Sequence, residues 1–187
     1  MKKYLAALLL AALPLAAFAH TGHGDHSFIA GFTHPFVGPD HLLAMLVVGI
    51  WSVLHTRRVW LAPLTFVALL TGGAVLGQHG LSVPQLEPLV AASVLVLGVM
   101  LALPFSLGLG SALAVIGGFA LFHGMAHGGE LSAGGNVLAG IVAGSAVLHA
   151  IGMAFASLVL KNRPQLTRRL GQLVALLGGG LLISIVI

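Results

Sequence analysis

His34, Asp40 and His41 stand within eight positions of one another, with Met45 one helical turn further on, in a run that is otherwise almost wholly apolar. Such groups do not belong in lipid. Even on lenient insertion scales an ionisable side chain at the bilayer centre costs about 2.5–3.5 kcal/mol, so two imidazoles and a carboxylate there mark a functional site. His41 and Met45 are spaced i,i+4 and share a helix face, so both can point at one ion. A second set, His123, His127 and Glu130, follows the spacing i, i+4, i+7 and would share a face if the helix continued, although Gly128-Gly129 can end it first. His-x-x-x-His is a common metal-ligand spacing that also arises by chance; beside another His and Asp cluster it points to metal or proton handling. His79 closes a further apolar run. His149, with Met153 one turn on, admits two readings, a ligand or a packing histidine bonded to a carbonyl.

The chemistry of these groups narrows the ion. Imidazole and carboxylate suit borderline divalent cations such as Ni²⁺, Co²⁺, Zn²⁺ or Cu²⁺, whereas Mg²⁺ or Ca²⁺ wants mainly oxygen and Cu⁺ wants more sulfur. The chain has no Cys, so any metal site is built from His, Asp, Glu, Met, amide or backbone oxygen, and disulfides are excluded.

What must position these residues is a membrane fold. Of 187 residues 58% are hydrophobic and 6% charged, against roughly a quarter charged in a soluble domain, and mean hydropathy is +1.09. The sequence pI of about 10.4 reflects only eight Lys and Arg against four acids, and their placement follows membrane topology, which sets nucleic acid aside as a partner. Residues 1–19 read as a cleaved signal peptide: Lys2-Lys3, an apolar run from Leu5 to Leu15, and Ala17-Phe18-Ala19 as processing site. An uncleaved anchor is the competing reading. The mature terminus, residues 20–27, would be a His-rich periplasmic arm in which His20, His23 and His26 collect metal or merely form a polar tail.

Residues 28–187 then form the transporter domain, with six apolar runs near 28–54, 59–76, 86–103, 105–123, 137–160 and 170–187, each close to the ~20 residues that cross a bilayer. The fold class expected is therefore an all-α integral membrane protein of six transmembrane helices after a signal peptide. Gly38-Pro39 interrupts the first run, so a helix starts afresh at Pro39 with Asp40 in its first turn, and His34 lies on a partly unwound segment or short half-helix beside a cavity. Arg57-Arg58 and Lys161 to Arg169 hold all basic residues beyond the signal, which by the positive-inside rule makes both loops cytoplasmic and both mature termini periplasmic, in a bacterial inner membrane. The first and fourth runs cross in opposite directions and both carry His, which fits a three-plus-three inverted repeat on geometry alone.

The motifs His34-Pro35-x-x-Gly38-x-Asp40-His41-x-x-x-Met45 and Phe122-His123-Gly124-x-Ala126-His127-Gly128, with the signal and six runs, resemble the HupE/UreJ family over essentially the whole chain. The first motif is also similar to, and one residue longer than, the His-x4-Asp-His signature of nickel/cobalt permeases. The resemblance implies nickel uptake for hydrogenase or urease maturation, with cobalt as the variant. On the residues themselves, the reading is a permease that passes a divalent transition metal through His34, Asp40, His41, His79, His123, His127 and Glu130 and on past His149, with no resident cofactor. The rival class is an intramembrane zinc hydrolase, which the absence of His-Glu-x-x-His and of a separate nucleophile disfavours. A sensor or scaffold is disfavoured by the short loops.

Overall fold

The structure is a computed structural model that describes residues 27–103, 107–128 and 135–187. The signal segment, His20, His23, His26 and Glu130 lie outside the described residues. The described chain is helical: α1 (Phe28–Val37), α2 (Pro39–His55), α3 (Leu61–Gln78), α4 (Leu86–Ala102), α5 (Leu109–Ala126), α6 (Gly135–Phe155) and α7 (Pro164–Val186), with α6 running on into a π-helical turn, Ala156–Leu160.

Four helices are long and apolar enough to cross a membrane, namely α3, α5, α6 with its π turn, and α7. The number rises to five if α1 and α2 count as one span, but they meet at 82°. The first apolar run is thus a short half-helix and a full helix, rather than one straight crossing. The α4 helix is shorter, at 17 residues. Two boundaries also move: the run expected from 105 is helical from Leu109, and the last helix begins at Pro164, placing Arg168 and Arg169 in its opening turns rather than in a loop. Pro164 explains the second shift, because proline is preorganised for the first helical position.

The outer surface is oily. Leu158, Leu176 and Ile29 are among the large apolar side chains left exposed, as lipid rather than water requires. Inside, Ala44, Met45, Val48, Phe66, Leu70, Leu97, Ile116 and Leu148 form the core. Its hydroxyls are satisfied within their own helices: Ser52 donates to the Gly49 carbonyl at 2.7 Å, Ser93 to Val90 at 2.6 Å and Ser145 to Ile141 at 2.7 Å.

Three helix pairings hold the bundle together, α3 with α5, α4 with α7, and α1 and α2 with α6. Each is made at glycines whose missing side chain lets backbone meet backbone, which is how helices attract when lipid supplies no hydrophobic drive. Gly73 lies against the Leu121 carbonyl, Gly124 against Leu70 and Ala74, Gly49 against His149 and Met153, and Gly152 against Leu46 and Ile50. In the α4 and α7 pair a Cβ on Gly98 would come within 2.8 Å of Ala175 Cα and 2.9 Å of the Gly171 carbonyl.

Gly98→Leu should therefore force α4 and α7 apart and cost about 1–3 kcal/mol or more. Gly118→Leu, on an open face with nothing within 4 Å, should be silent. Thermal midpoints of the two variants in detergent check this, and equal midpoints would contradict the packing.

Candidate metal centre

The break at Gly38 builds the site. A residue before proline is pushed out of the helical region, and Gly38 accordingly sits at φ −76°, ψ 115°. Its amide still donates to the His34 carbonyl at 3.3 Å, closing α1, while its own carbonyl accepts from Leu42 at 2.9 Å, opening α2. Ser27 caps the other end of α1 by accepting from Ala30. Phe28, Phe32 and Phe36 stack in sequence along α1, with centroids 6.2 and 5.5 Å apart. Tight contacts of Gly140 with Phe28 and Phe32, and of Gly144 with Phe32, seat the half-helix on α6. The result is that His34 and His41, on two helices at a steep angle, face each other.

Asp40 occupies the first turn of α2, where free amides and the positive end of the helix dipole favour a carboxylate. Its Oδ1 accepts from the His41 amide and from His41 Nδ1, both at 2.9 Å. A carboxylate has only acceptors, so Nδ1 carries the hydrogen and Nε2 is left with its lone pair pointing inward. That lone pair meets His127 Nε2 at 2.8 Å. Two neutral imidazoles can make this contact only if one carries the hydrogen there, which assigns His127 the donor role.

One ring nitrogen each from His34, His41 and His127 fall within 4.8 Å of one another, a grouping that could hold a metal ion. The ring centroids are 4.5 Å apart for His34 and His127, 4.8 Å for His41 and His127, and 5.5 Å for His34 and His41. His41 and His127 are buried and His34 is partly open. His123 adds a fourth imidazole, 4.8 Å from His41 between centroids. Its Nδ1 donates to the Phe119 carbonyl one turn back at 2.9 Å, so its buried Nε2 keeps a lone pair that no group among the described residues meets. His41 and His123 therefore share one polarity: Nδ1 is anchored on a carboxylate or a backbone carbonyl, and Nε2 keeps its lone pair. In a medium of low dielectric, the single Asp40 charge behind His41 offsets half of a divalent cation.

The expected residues are distributed unevenly. His34, Asp40, His41, His123 and His127 come together at one end of the bundle, with α5 stopping at Ala126 and His127 as its cap rather than continuing towards Glu130. Met45 is fully buried in the core one turn below His41. His79 is exposed at the end of α3 and is not one of the three grouped imidazoles. His149 is buried at 2% exposure, deeper in the bundle. Reasoning from sequence missed Phe66, whose ring touches both His123 and His149, at 5.6 and 5.2 Å between centroids. Nothing in an apolar span distinguishes that phenylalanine from its neighbours.

An all-helical, multi-pass membrane protein with imidazoles converging inside the bundle is the class these features define. The chain belongs to the HupE/UreJ family: the family model described as HupE / UreJ protein matches residues 7–181. It is 40% identical to Protein HupE of Rhizobium leguminosarum bv. viciae, over 97% of this chain and 98% of that one. No solved structure matches it. The family is associated with hydrogenase- and urease-linked metal transport rather than with catalysis.

Asp40→Asn keeps size but offers the His41 ring an ambiguous partner and no charge. Loss of such an outer-shell carboxylate typically costs 10–100-fold in metal affinity. Cobalt titration of the purified protein, followed by its visible absorption, should show a weakening of that order; parental affinity would mean that the Asp40 contact does not tune the site.

Proposed function

We propose that the protein is a permease that takes up a divalent transition-metal ion, most favourably nickel, from the periplasm into the cytoplasm. The observation that carries this is the convergence of His34, His41 and His127 nitrogens, backed by Asp40, at one end of the helical bundle. The donor set is nitrogen with one carboxylate, which fits borderline divalent ions. The His41 and His127 Nε2 atoms stand 2.8 Å apart, close enough for one ion to take both. A cation taking both lone pairs displaces the hydrogen now shared between them, which moves to His127 Nδ1 or leaves, so binding and proton movement are linked at this pair. The His20 to His26 arm would raise local metal concentration at the mouth without being part of the path.

We also read an internal repeat in the bundle, an arrangement common among transporters. One shift along the chain carries Gly49 to Gly124, Gly77 to Gly152 and Ala74 to His149. The same shift carries contacts onto contacts: Gly49 on His149 corresponds to Ala74 on Gly124, and Gly77 on Met125 to Gly152 on Ile50. Under it α2 pairs with α5, α3 with α6, and α4 with α7, so α3–α5 packing mirrors α2–α6 packing and α4 meets its own counterpart. Exact identity between halves is absent, but the close approaches repeat.

Cells making the protein should accumulate radioactive nickel at trace concentration, and Asp40→Asn or His41→Ala cells with normal protein levels should lose at least nine-tenths of that rate. Competition by cobalt stronger than by nickel itself would reassign the ion, and parental uptake in both variants would refute the path. For orientation, Cys placed at the exposed Ser82 should react with an impermeant reagent from the periplasm and Cys at Gln165 should not. The labelling is clean because the chain has no Cys of its own, and the reverse pattern would invert the direction of transport.

A further inference from the structure

The row of imidazoles continues past His123. Phe66, fully buried on α3, places its ring edge-on to His123 and also to His149 on α6, at 5.6 and 5.2 Å between centroids. His149 is set deeper than the cluster. Its carbonyl lies against Gly49, two turns or about 12 Å along α2 from His41. The side chain is 2% exposed; the Ser145 carbonyl one turn back stands near enough to take one ring N–H, and the other ring nitrogen has no hydrogen-bond partner among the described residues. Leaving a buried polar atom unmet costs about 1–3 kcal/mol, a cost that leucine or phenylalanine would avoid at the same position. Packing alone therefore does not account for an imidazole here.

We propose that His149 is a second, inner coordination station for the transported divalent cation, reached from His123 across the ring of Phe66. The proposal rests on the permease reading and assigns it a second stop. At His149 one neutral imidazole offers one lone pair, so ligand exchange from His123 to His149 moves no proton and breaks no covalent bond. A single nitrogen holds an ion far less tightly than three converging ones. Conduction needs that inequality: sites strong enough to admit the ion, followed by one weak enough to release it. The Phe66 ring sits where the ion changes hands, with an apolar edge against both histidines, and must rotate for it to pass. The outer cluster thus sets capture and the inner station sets the rate of onward transfer.

His149→Cys and His149→Gln in the full-length protein test the assignment, with cobalt as probe. If the ion reaches this position, the purified Cys variant acquires a near-ultraviolet thiolate-to-cobalt charge-transfer band that the parent, which has no Cys, lacks. In vesicles holding a metal-sensitive dye, His149→Gln should cut the maximal rate at least tenfold while leaving the half-saturating concentration within twofold, and His149→Cys should retain more of the rate than His149→Gln. A Cys variant with the parental thermal midpoint but no charge-transfer band overturns the proposal, as does a parental maximal rate in His149→Gln. Should the Cys variant fail to fold, the Gln variant decides on rate alone, and should both fail, His149 is a packing residue and the proposal falls. A parent that moves no cobalt into vesicles, together with a charge-transfer band in the Cys variant, would refute transport and keep the inner site.

Discussion

The Asp40 carboxylate holding His41 Nδ1 at 2.9 Å is the contact on which the candidate metal centre depends. It fixes the tautomer, and so decides that the lone pair of Nε2 points into the protein and not its hydrogen. It also needs the helix to begin where it does. Without the break at Gly38, Asp40 would lie mid-helix, its carboxylate far from free amides, and His34 would be carried away from His41 on the same rod. The 82° turn between α1 and α2 brings the two rings to 5.5 Å. Non-helical backbone at membrane depth is tolerated only where protein surrounds it, and here α6 does so through Gly140 and Gly144.

Glycine is the second constraint. A helix pair in lipid gains little from burying apolar surface, so association depends on close van der Waals fit. The glycines at α3–α5, α2–α6 and α4–α7 allow carbonyls and Cα atoms of one helix to sit where a side chain of the other would be. Close packing has a chemical use as well. It brings His127, at the end of α5, near enough to the start of α2 for its Nε2 to meet that of His41. Sites assembled from different helices can be opened by small relative movements of those helices, which a site on one helix cannot.

A cluster of imidazoles rather than several acids also suits a family associated with metal transport. Carboxylates in number would bind a divalent ion too firmly in a low dielectric and would themselves be costly to bury. Imidazoles can be buried neutral, bind borderline metals and give them up to the next ring. The anchoring of second nitrogens, on Asp40 for His41 and on the Phe119 carbonyl for His123, costs little backbone and keeps the lone pairs aimed.

Much of this was written in the sequence. Composition alone required a membrane protein, and proline and glycine required the restart at Pro39, because each follows from local chemistry or from the cost of polarity in lipid; the His and Asp in apolar runs pointed to the residues that the structure gathers. The helix ends were less legible: α7 starts earlier than hydropathy suggests, because its polar opening turns, which carry Arg168 and Arg169, are helical without being apolar. What the tertiary structure alone decided was partnership. Spacing suggested that His41 would share an ion with Met45 and that His79 would join the path, yet Met45 packs in the core and His79 stays exposed, while His127, distant in sequence, meets His41. The place of Phe66 between His123 and His149 was equally invisible. Periodicity says which face of a helix a residue occupies, and only the packing of one helix against another says what that face meets.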